Sequence, residues 1–234
     1  GRYLCPAGIV PGKEGVMNYL PRVKICCISS AEEASLAIRS GASAIGLVGR
    51  MPSGPGIIED SLIQTISRKV PPPVATFLLT SETTPERVLD HYHRVNTTTI
   101  QLVDQLEERK YDVIRNAIPH VKLVQVIHVQ DERSLTEAVE ISHWVDALLL
   151  DSGNPDLKVK ELGGTGRTHN WKVSRRICKS VSIPVFLAGG LHAENIKEAI
   201  ESVEPFGVDV CSGVRTGGRL DPQKLQNFFS AVGY

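Results

Sequence analysis

Several features that would place this chain in a special class of protein are missing from its sequence. Its 234 residues carry 26 basic and 26 acidic side chains, so the net charge is zero. No long-range field therefore favours nucleic acid or an anionic membrane as a partner. No apolar run approaches the roughly 18 residues that suggest a membrane span. Any anion that binds must find a local site.

The cysteines also lack the pattern of a disulfide framework. There are five of them, an odd number, and they are scattered along the chain. This predicts reduced thiols and a cytoplasmic setting. No set of cysteines, histidines and carboxylates has the spacing of a metal site, so no metal is expected. Residues 1–22 are rich in Gly and Pro without the apolar core of a signal peptide, and we expect them to form an extension outside the fold.

From residue 23 to residue 234 the sequence alternates regularly between two kinds of segment. Short β-branched and aliphatic runs predict strands, and amphipathic stretches between them predict helices. The predicted strands are 23–27, 43–48, 74–79, 98–103, 122–128, 145–150, 184–187 and 208–211. The predicted helices are 31–40, 59–69, 84–95, 107–117, 132–143, 171–180, 192–202 and 221–231. Eight such units predict an α/β protein, a single-domain (βα)8 TIM barrel, with a doubly wound open sheet as the alternative.

Two residues that can transfer protons stand at the ends of predicted strands. Cys26 closes the first apolar run, and Asp151 follows the most apolar run in the chain. In this fold the strand C-termini form the active face, so a thiol base and a carboxylic acid would meet there. The alternatives are a buried apolar cysteine and an aspartate that caps a helix or forms a turn.

Lys24 strengthens the functional interpretation of Cys26. Side chains alternate along a strand, so Lys24 and Cys26 share one side, and the cation there favours a thiolate. By the same alternation Cys27 is expected to point the opposite way, towards the helix layer, as a packing residue. His128 ends the fifth predicted strand, where a structural role is the simpler interpretation.

Three glycine clusters follow the last predicted strands. They are Gly163-Gly164-Thr165-Gly166, Ala188-Gly189-Gly190 and Ser212-Gly213-Val214. The first lacks the spacing and the lysine of a nucleotide P-loop. The loops after strands seven and eight are the usual phosphate site of a TIM barrel, where backbone N–H groups hold the anion. We therefore expect a phosphorylated small molecule there, although plain turn glycines would give the same pattern.

Together these motifs resemble the phosphoribosylanthranilate isomerase family, in order and approximate spacing from Val23 to the C-terminus. The segments that carry the resemblance are Val23-Lys24-Ile25-Cys26, Gly41-Ala42-Ser43-Ala44-Ile45-Gly46, Gly163-Gly164-Thr165-Gly166 with Trp171, Leu187-Ala188-Gly189-Gly190-Leu191 with Glu194-Asn195, and Val208-Asp209-Val210-Cys211-Ser212-Gly213-Val214.

The resemblance implies a cofactor-free Amadori rearrangement of N-(5-phosphoribosyl)anthranilate in tryptophan biosynthesis. Cys26 would be the general base at C2 of the sugar, and Asp151 the general acid at the furanose ring oxygen. The substrate or its phosphate would be held by a set of basic, glycine and serine residues: Lys24, Arg50, Gly164, Gly166, Gly189, Gly190, Ser212 and Gly213.

The sequence departs from the family pattern at four places. Cys27 replaces the usual glycine, and Pro55 stands where the family has an arginine that holds the anthranilate end, with Arg50 close by. Val103 replaces a histidine, and Arg215 replaces an acidic residue. Two alternatives therefore stand beside the isomerase: a divergent isomerase or lyase acting on another phosphosugar, and a binder of phosphorylated metabolites without catalytic activity. The sequence does not indicate an oligomeric state.

Overall fold

The computed structural model describes residues 20–152 and 170–234. Eight parallel strands form a closed barrel in which β8 also pairs with β1, and this confirms the predicted (βα)8 fold. The strands are β1 Arg22–Ile25, β2 Ala44–Val48, β3 Ala75–Thr80, β4 Thr99–Leu102, β5 Lys122–His128, β6 Ala147–Asp151, β7 Val185–Leu187 and β8 Gly207–Val210. β1 starts one residue inside the expected extension, and residues 1–19 of that extension lie outside the described residues.

Eight α-helices alternate with these strands in the described ranges. They are α1 Ala31–Arg39, α2 Asp60–Lys69, α3 Pro85–Val95, α4 Tyr111–Ala117, α5 Arg133–Ile141, α6 Trp171–Ser180, α7 Ile196–Val203 and α8 Pro222–Val232. Two short strands, β9 Arg215–Thr216 and β10 Arg219–Leu220, form an antiparallel hairpin after β8. None of the helices in the described part of the chain has the length and apolar character needed to cross a membrane.

Helix starts follow the local chemistry at some positions and not at others. The hydroxyl of Ser30 accepts from the N–H of Glu33, and the carboxylate of Asp221 accepts from two N–H groups in the first turn of α8. Thr84 precedes the proline that opens α3, but its side chain makes no cap hydrogen bond. The capping residues therefore predict where α1, α3 and α8 begin, although the capping hydrogen bond forms only at α1 and α8.

Three predicted helices are at least three residues shorter than expected: the fourth, the fifth (α5, Arg133–Ile141) and the seventh. The fourth is divided because Glu108 and Arg109 both have a φ of 51°, which breaks the helix before Tyr111. The seventh begins at Ile196, since Asn195 accepts from the N–H of His192 and donates to the carbonyl of Gly190. The residues before α7 thus form an ordered turn beside the expected phosphate loop.

Strand side chains divide into two buried layers. Those that face the helices form a continuous aliphatic core, typified by Ile25, Ile45 and Leu148. The alternate positions fill the barrel, typified by Phe77 and Leu149. Because both faces are buried, the strands read as apolar runs and not as alternating patterns. Packing of this kind fixes the strand ends, and with them the functional side chains.

Candidate active site

A cavity opens at the C-terminal end of the barrel. It is lined by residues at or just after the ends of every strand except β5: Cys26, Cys27, Val48, Met51, Ser53, Gly54, Pro55, Leu79, Gln101, Val103, Asp151, Ala188, Gly189, Gly190, Leu191, Asp209, Cys211 and Ser212. This is the face on which TIM-barrel enzymes carry their active sites. The cavity therefore brings together the proposed acid, the proposed base and most of the proposed phosphate loop.

Cys26 and Asp151 reach this cavity from different strands. Cys26 follows β1, and its N–H donates to the carbonyl of Val210, which continues the β1–β8 pairing. Asp151 is the last residue of β6, and its Oδ1 accepts from the N–H of Ser152 at 2.7 Å. Both side chains are largely buried, with 5% and 8% of their surfaces exposed. A thiol and a carboxyl group thus face one enclosed space.

Lys24 and Cys26 lie on the same side of β1, as expected. A side chain added at Gly46 would meet the Sγ of Cys26 at 2.8 Å and the Nζ of Lys24 at 3.1 Å. A glycine at this point of β2 therefore leaves room for both groups. It also fixes where they lie: inside the barrel, against the same stretch of neighbouring backbone.

Lys24 is not placed to contact a substrate in the cavity, contrary to the expectation from the sequence. Lys24 is fully buried and does not line the cavity, and its Nζ lies 2.9 Å from the Oδ1 of Asp209. Burial opposes its charge, yet attraction by Asp209, with a smaller contribution from Cys26, raises the pKa of Lys24 above its usual value. Lys24 is thus a permanent cation beneath the cavity, held by Asp209.

Asp209 is the side chain that connects this cation to the cavity. It lines the cavity and is paired with Lys24 in the β1–β8 register. Burial raises the pKa of Asp209, Lys24 opposes that shift, and the charge of Asp151 adds to it. The effect of Asp151 indicates that the two carboxyl groups are electrostatically close.

The glycine loops after β7 and β8 lie beside Asp151. Gly189 and Gly190 have φ values of 85° and 61°, a region that favours glycine, and both line the cavity with Ser212. A side chain at Gly189 would come within 3.1 Å of the Oδ1 of Asp151. Gly213 does not line the cavity, but a side chain there would meet the carbonyl oxygen of Leu191 at 2.0 Å. The two loops are therefore packed directly against each other.

The remaining expected binding residues lie elsewhere. Arg50 is exposed beyond the end of β2 and does not line the cavity, where Met51, Ser53 and Pro55 stand instead. Gly164 and Gly166 lie outside the described residues. No cluster of three or more potential metal ligands occurs among the residues that the structure describes.

Cys27 corrects the expectation that it packs against the helix layer. β1 ends at Ile25, so the alternation of a strand no longer applies two residues later. Cys27 has a φ of 62°, a left-handed conformation, and its side chain lines the same cavity as Cys26. Its Sγ lies 2.7 Å from that of Cys211, at the end of β8. A positive φ favours glycine, which is the residue that the family resemblance implies at this position.

Two residues that line the cavity, Asp209 and Gln101, were not predicted as site residues from the sequence. Asp209 is a single charged residue within Val208-Asp209-Val210, just as Lys24 is within Val23-Lys24-Ile25, and a lone charge in an apolar run indicates a buried partner. Gln101 on β4 is 3% exposed, lines the cavity, and its Oε1 has no hydrogen-bond partner. A buried carbonyl oxygen without a partner suits a ligand donor.

Known proteins share both this fold and this sequence pattern. The family model described as N-(5'-phosphoribosyl)anthranilate (PRA) isomerase matches residues 23–231. N-(5'-phosphoribosyl)anthranilate isomerase 2 of Methanosarcina mazei is 37% identical over 88% of this chain and 92% of its own length. The isomerase of Methanocella arvoryzae is 36% identical over 90% of this chain and 96% of its own length.

Solved structures agree with these relatives. The crystal structure of the isomerase from Thermotoga maritima is 30% identical, has a TM-score of 0.76, and the match covers 91% of this chain and 98% of that chain. A phosphoribosyl anthranilate isomerase in complex with reduced 1-(o-carboxyphenylamino)-1-deoxyribulose 5-phosphate has a TM-score of 0.73 at 28% identity, over 91% of this chain and 98% of that chain. Since the family model and the relatives each cover most of the sequence, this chain belongs to the phosphoribosylanthranilate isomerase family.

Proposed function

We propose that this chain isomerises N-(5'-phosphoribosyl)anthranilate to 1-(o-carboxyphenylamino)-1-deoxyribulose 5-phosphate in tryptophan biosynthesis, by general acid–base catalysis without a cofactor. The observation that carries the proposal is the shared cavity of Cys26 and Asp151, with the glycine loop of β7 against the carboxyl group. An isomerisation of this kind needs an acid, a base and a hold on the phosphate, and this cavity offers candidates for all three.

The proposed reaction conserves every atom of the substrate. Asp151 gives a proton to the furanose ring oxygen, the bond from that oxygen to C1 breaks, and the nitrogen lone pair forms a C=N bond. Cys26 then removes the proton from C2, and the electrons of the C–H bond move to form an enolamine. The enolamine tautomerises to the ketone, so that a hydrogen has moved from C2 to C1. Each proton transfer by a positioned group contributes about 10²–10⁴-fold to the rate.

The phosphate belongs to the same proposal. Gly189, Gly190 and Ser212 present backbone at one side of the cavity, close to Asp151. The N-termini of short helical turns and glycine backbone form good anion sites because their N–H groups have no other partner. Lys24 supports this site from beneath by holding Asp209. Gly164, Gly166, Gly213 and Arg50 remain predicted contacts of the substrate, although Gly164 and Gly166 lie outside the described residues and the other two do not line the cavity.

The cellular setting follows from the chemistry. A thiolate base works only while Cys26 stays reduced, and the cysteines of the described residues are all free. A reducing compartment such as the cytoplasm suits that requirement.

Substitution of the two central residues tests the proposal. Asp151→Asn keeps the side-chain shape but has no proton to give, so turnover should fall about 10²–10⁴-fold. Cys26→Ala should abolish turnover. Binding of the reduced product analogue should change little in Asp151→Asn, because its phosphate contacts lie on other loops. Asp131→Asn, an exposed carboxylate before α5, is the matched control and should keep full activity. Near-normal turnover of Asp151→Asn would overturn the assignment of the acid.

One observation favours a second candidate, an isomerase or lyase for another phosphosugar. The described cavity lining contains no lysine or arginine, and Pro55 stands at the rim where a cation would face an aromatic carboxylate. Rescue of a tryptophan auxotroph that lacks the isomerase distinguishes the two, because only the first candidate restores growth. A protein that binds the product analogue but turns over no phosphosugar would instead be a metabolite binder.

A further inference from the structure

Two cysteines that take no part in the proposed acid–base chemistry lie next to each other where β1 and β8 pair to close the barrel. Cys27 follows β1 and Cys211 follows β8, and their Sγ atoms lie 2.7 Å apart. Both are free thiols, and both line the cavity beside Cys26 and Ser212. A disulfide needs the sulfurs at about 2.05 Å. The two sulfurs must therefore approach each other by about 0.65 Å to form the bond.

The surroundings give the two sulfurs different roles. The hydrogen bond with Cys27, and then the charge of Arg215, lower the pKa of Cys211 against the opposing effect of burial. Hydrogen bonds with Cys211 and Cys26, and then burial, raise the pKa of Cys27. The lower pKa makes Cys211 the better nucleophile of the two, and Cys27 is the thiol placed to resolve it.

Arg215 holds this arrangement in place. Its guanidinium donates to the carbonyl oxygens of Cys26 and Cys27 at 3.1 and 2.6 Å, and to the carboxylate of Glu33 at 3.0 Å. The backbone around Cys27 is therefore fixed from one side while its sulfur faces Cys211 on the other. A cation beside a partly exposed thiol is the setting in which cysteines react with oxidants, and Cys211 is half-buried beside Arg215.

We propose that Cys27 and Cys211 form a reversible disulfide at the mouth of the cavity, and that a hydroperoxide drives its formation and switches the enzyme off. Cys211 gives up its proton to water, its thiolate attacks the terminal oxygen of the peroxide, and the O–O bond breaks; a sulfenic acid forms, and the leaving hydroxide or alkoxide takes a proton from water and departs as water or an alcohol. The sulfur of Cys27 then attacks that of Cys211. The S–S bond forms, the S–O bond breaks, and the hydroxide leaves as water with the Cys27 proton. Two electrons pass from the two thiols to the peroxide.

The effect on activity rests on the proposed function. Cys27 adjoins the base Cys26, and Cys211 adjoins Ser212 of the expected phosphate loop, so the disulfide would pull on both at once. A displacement on the order of 1 Å at a reacting group can cost about 10²-fold. Oxidation should therefore lower turnover by between about 10- and 100-fold.

The experiment treats the purified full chain with a slight excess of hydrogen peroxide, followed by peptide mass spectrometry without reduction. The expected product is a peptide pair joined through Cys27 and Cys211. Turnover should fall and then return when dithiothreitol is added. The reduced product analogue should slow the crosslinking, because it covers both sulfurs.

Three variants separate this mechanism from oxidation of the base. Cys211→Ser should lose both the crosslink and the reversible inhibition. For every variant, turnover after oxidation is compared with the turnover of the same variant before oxidation. Cys27→Gly suits the left-handed conformation at that position and gives a second test if Cys211→Ser folds poorly. Cys178→Ser on α6, whose thiol has a pKa raised to about 12 by burial, should behave like the wild type.

The outcomes are distinguishable. Absence of the Cys27–Cys211 crosslink, or equal reversible inhibition in Cys211→Ser, would overturn the proposal. So would a complete crosslink that leaves turnover unchanged. The mass measurement needs no activity. If the protein formed the crosslink on oxidation but did not isomerise the substrate even before oxidation, the proposed function would be contradicted and the disulfide would not.

Discussion

The ion pair between Lys24 and Asp209 gives the sharpest test of how the site is held. Lys24 is completely buried, and the carboxylate at 2.9 Å is the group that offsets its charge. Asp209→Asn keeps the size of the side chain but removes that charge. Loss of one partner of a buried pair costs about 3–5 kcal/mol, because the other charge remains without compensation. For a chain of this length, each kcal/mol lowers the melting temperature by about 2–4 °C. The expected decrease is therefore about 6–20 °C.

The reverse substitution should cost less. Lys24→Met removes the cation and leaves Asp209, whose pKa is already raised by burial, so the carboxyl group can take up a proton in place of a counter-ion. Its cost is expected to be that of an imperfectly paired buried polar group, about 1–3 kcal/mol. The double variant should be more stable than Asp209→Asn alone, since no buried charge then remains.

Urea unfolding of the four proteins in this cycle measures the coupling directly. Stability is the right readout because Asp209 also lines the cavity, and a loss of turnover would have more than one explanation. Lys122→Met serves as the control: this lysine is half exposed, and its partner Asp146 keeps Arg115 as a second cation, so the free energy of unfolding should change by less than about 1 kcal/mol. If Asp209→Asn were as stable as the wild type, and the two single changes were additive, the buried cation would not depend on Asp209.

Three further predictions address other parts of the molecule. Arg215→Ala removes the cation that pairs with the nearly buried Glu33, so the free energy of unfolding, measured in urea, should fall by about 3 kcal/mol. Burial lowers the pKa of His91 below 6.5 in the folded protein, so the unfolded chain takes up the proton first. Stability should therefore fall as the pH drops below about 6.5. Urea midpoints at neutral and mildly acidic pH should show this loss, and His91→Asn should lack it. Gly213→Ala must displace a carbonyl oxygen at 2.0 Å and should raise KM. Gly217→Ala is the control: a φ of 56° strains an alanine there, but no atom lies within 4 Å of the added side chain, so KM should stay normal.

The strands were predictable because burial on both faces leaves a plain mark in the sequence. An apolar run such as Leu148-Leu149-Leu150 is typical of a strand buried on both faces in an α/β fold. The break before α4 was not predictable, since Glu108 and Arg109 adopt a positive φ without a glycine to announce it. Boundaries of that kind are set by tertiary packing and not by local preference.

The site was predictable to the extent that single strands determine it. Alternation along β1 placed Lys24 and Cys26 on one side, but it failed for Cys27, because the strand ends earlier than its apolar run. The partners of these residues were not visible. Asp209 and Cys211 are neighbours of β1 only because the barrel closes, and nothing local in either segment states which of the other strands it will meet.

The closure of the barrel also sets when the site can come into existence. The contacts from Lys24 to Asp209, Cys27 to Cys211 and Glu33 to Arg215 span 185, 184 and 182 residues. Closing a loop of that length costs roughly 2–3 kcal/mol more chain entropy than closing one of ten residues. These contacts are therefore among the last that a folding chain can form. Until β8 arrives, Lys24 has no counter-ion and the base has no neighbour on that side. The appearance of catalytic activity during refolding should then report the joining of the first and last strands.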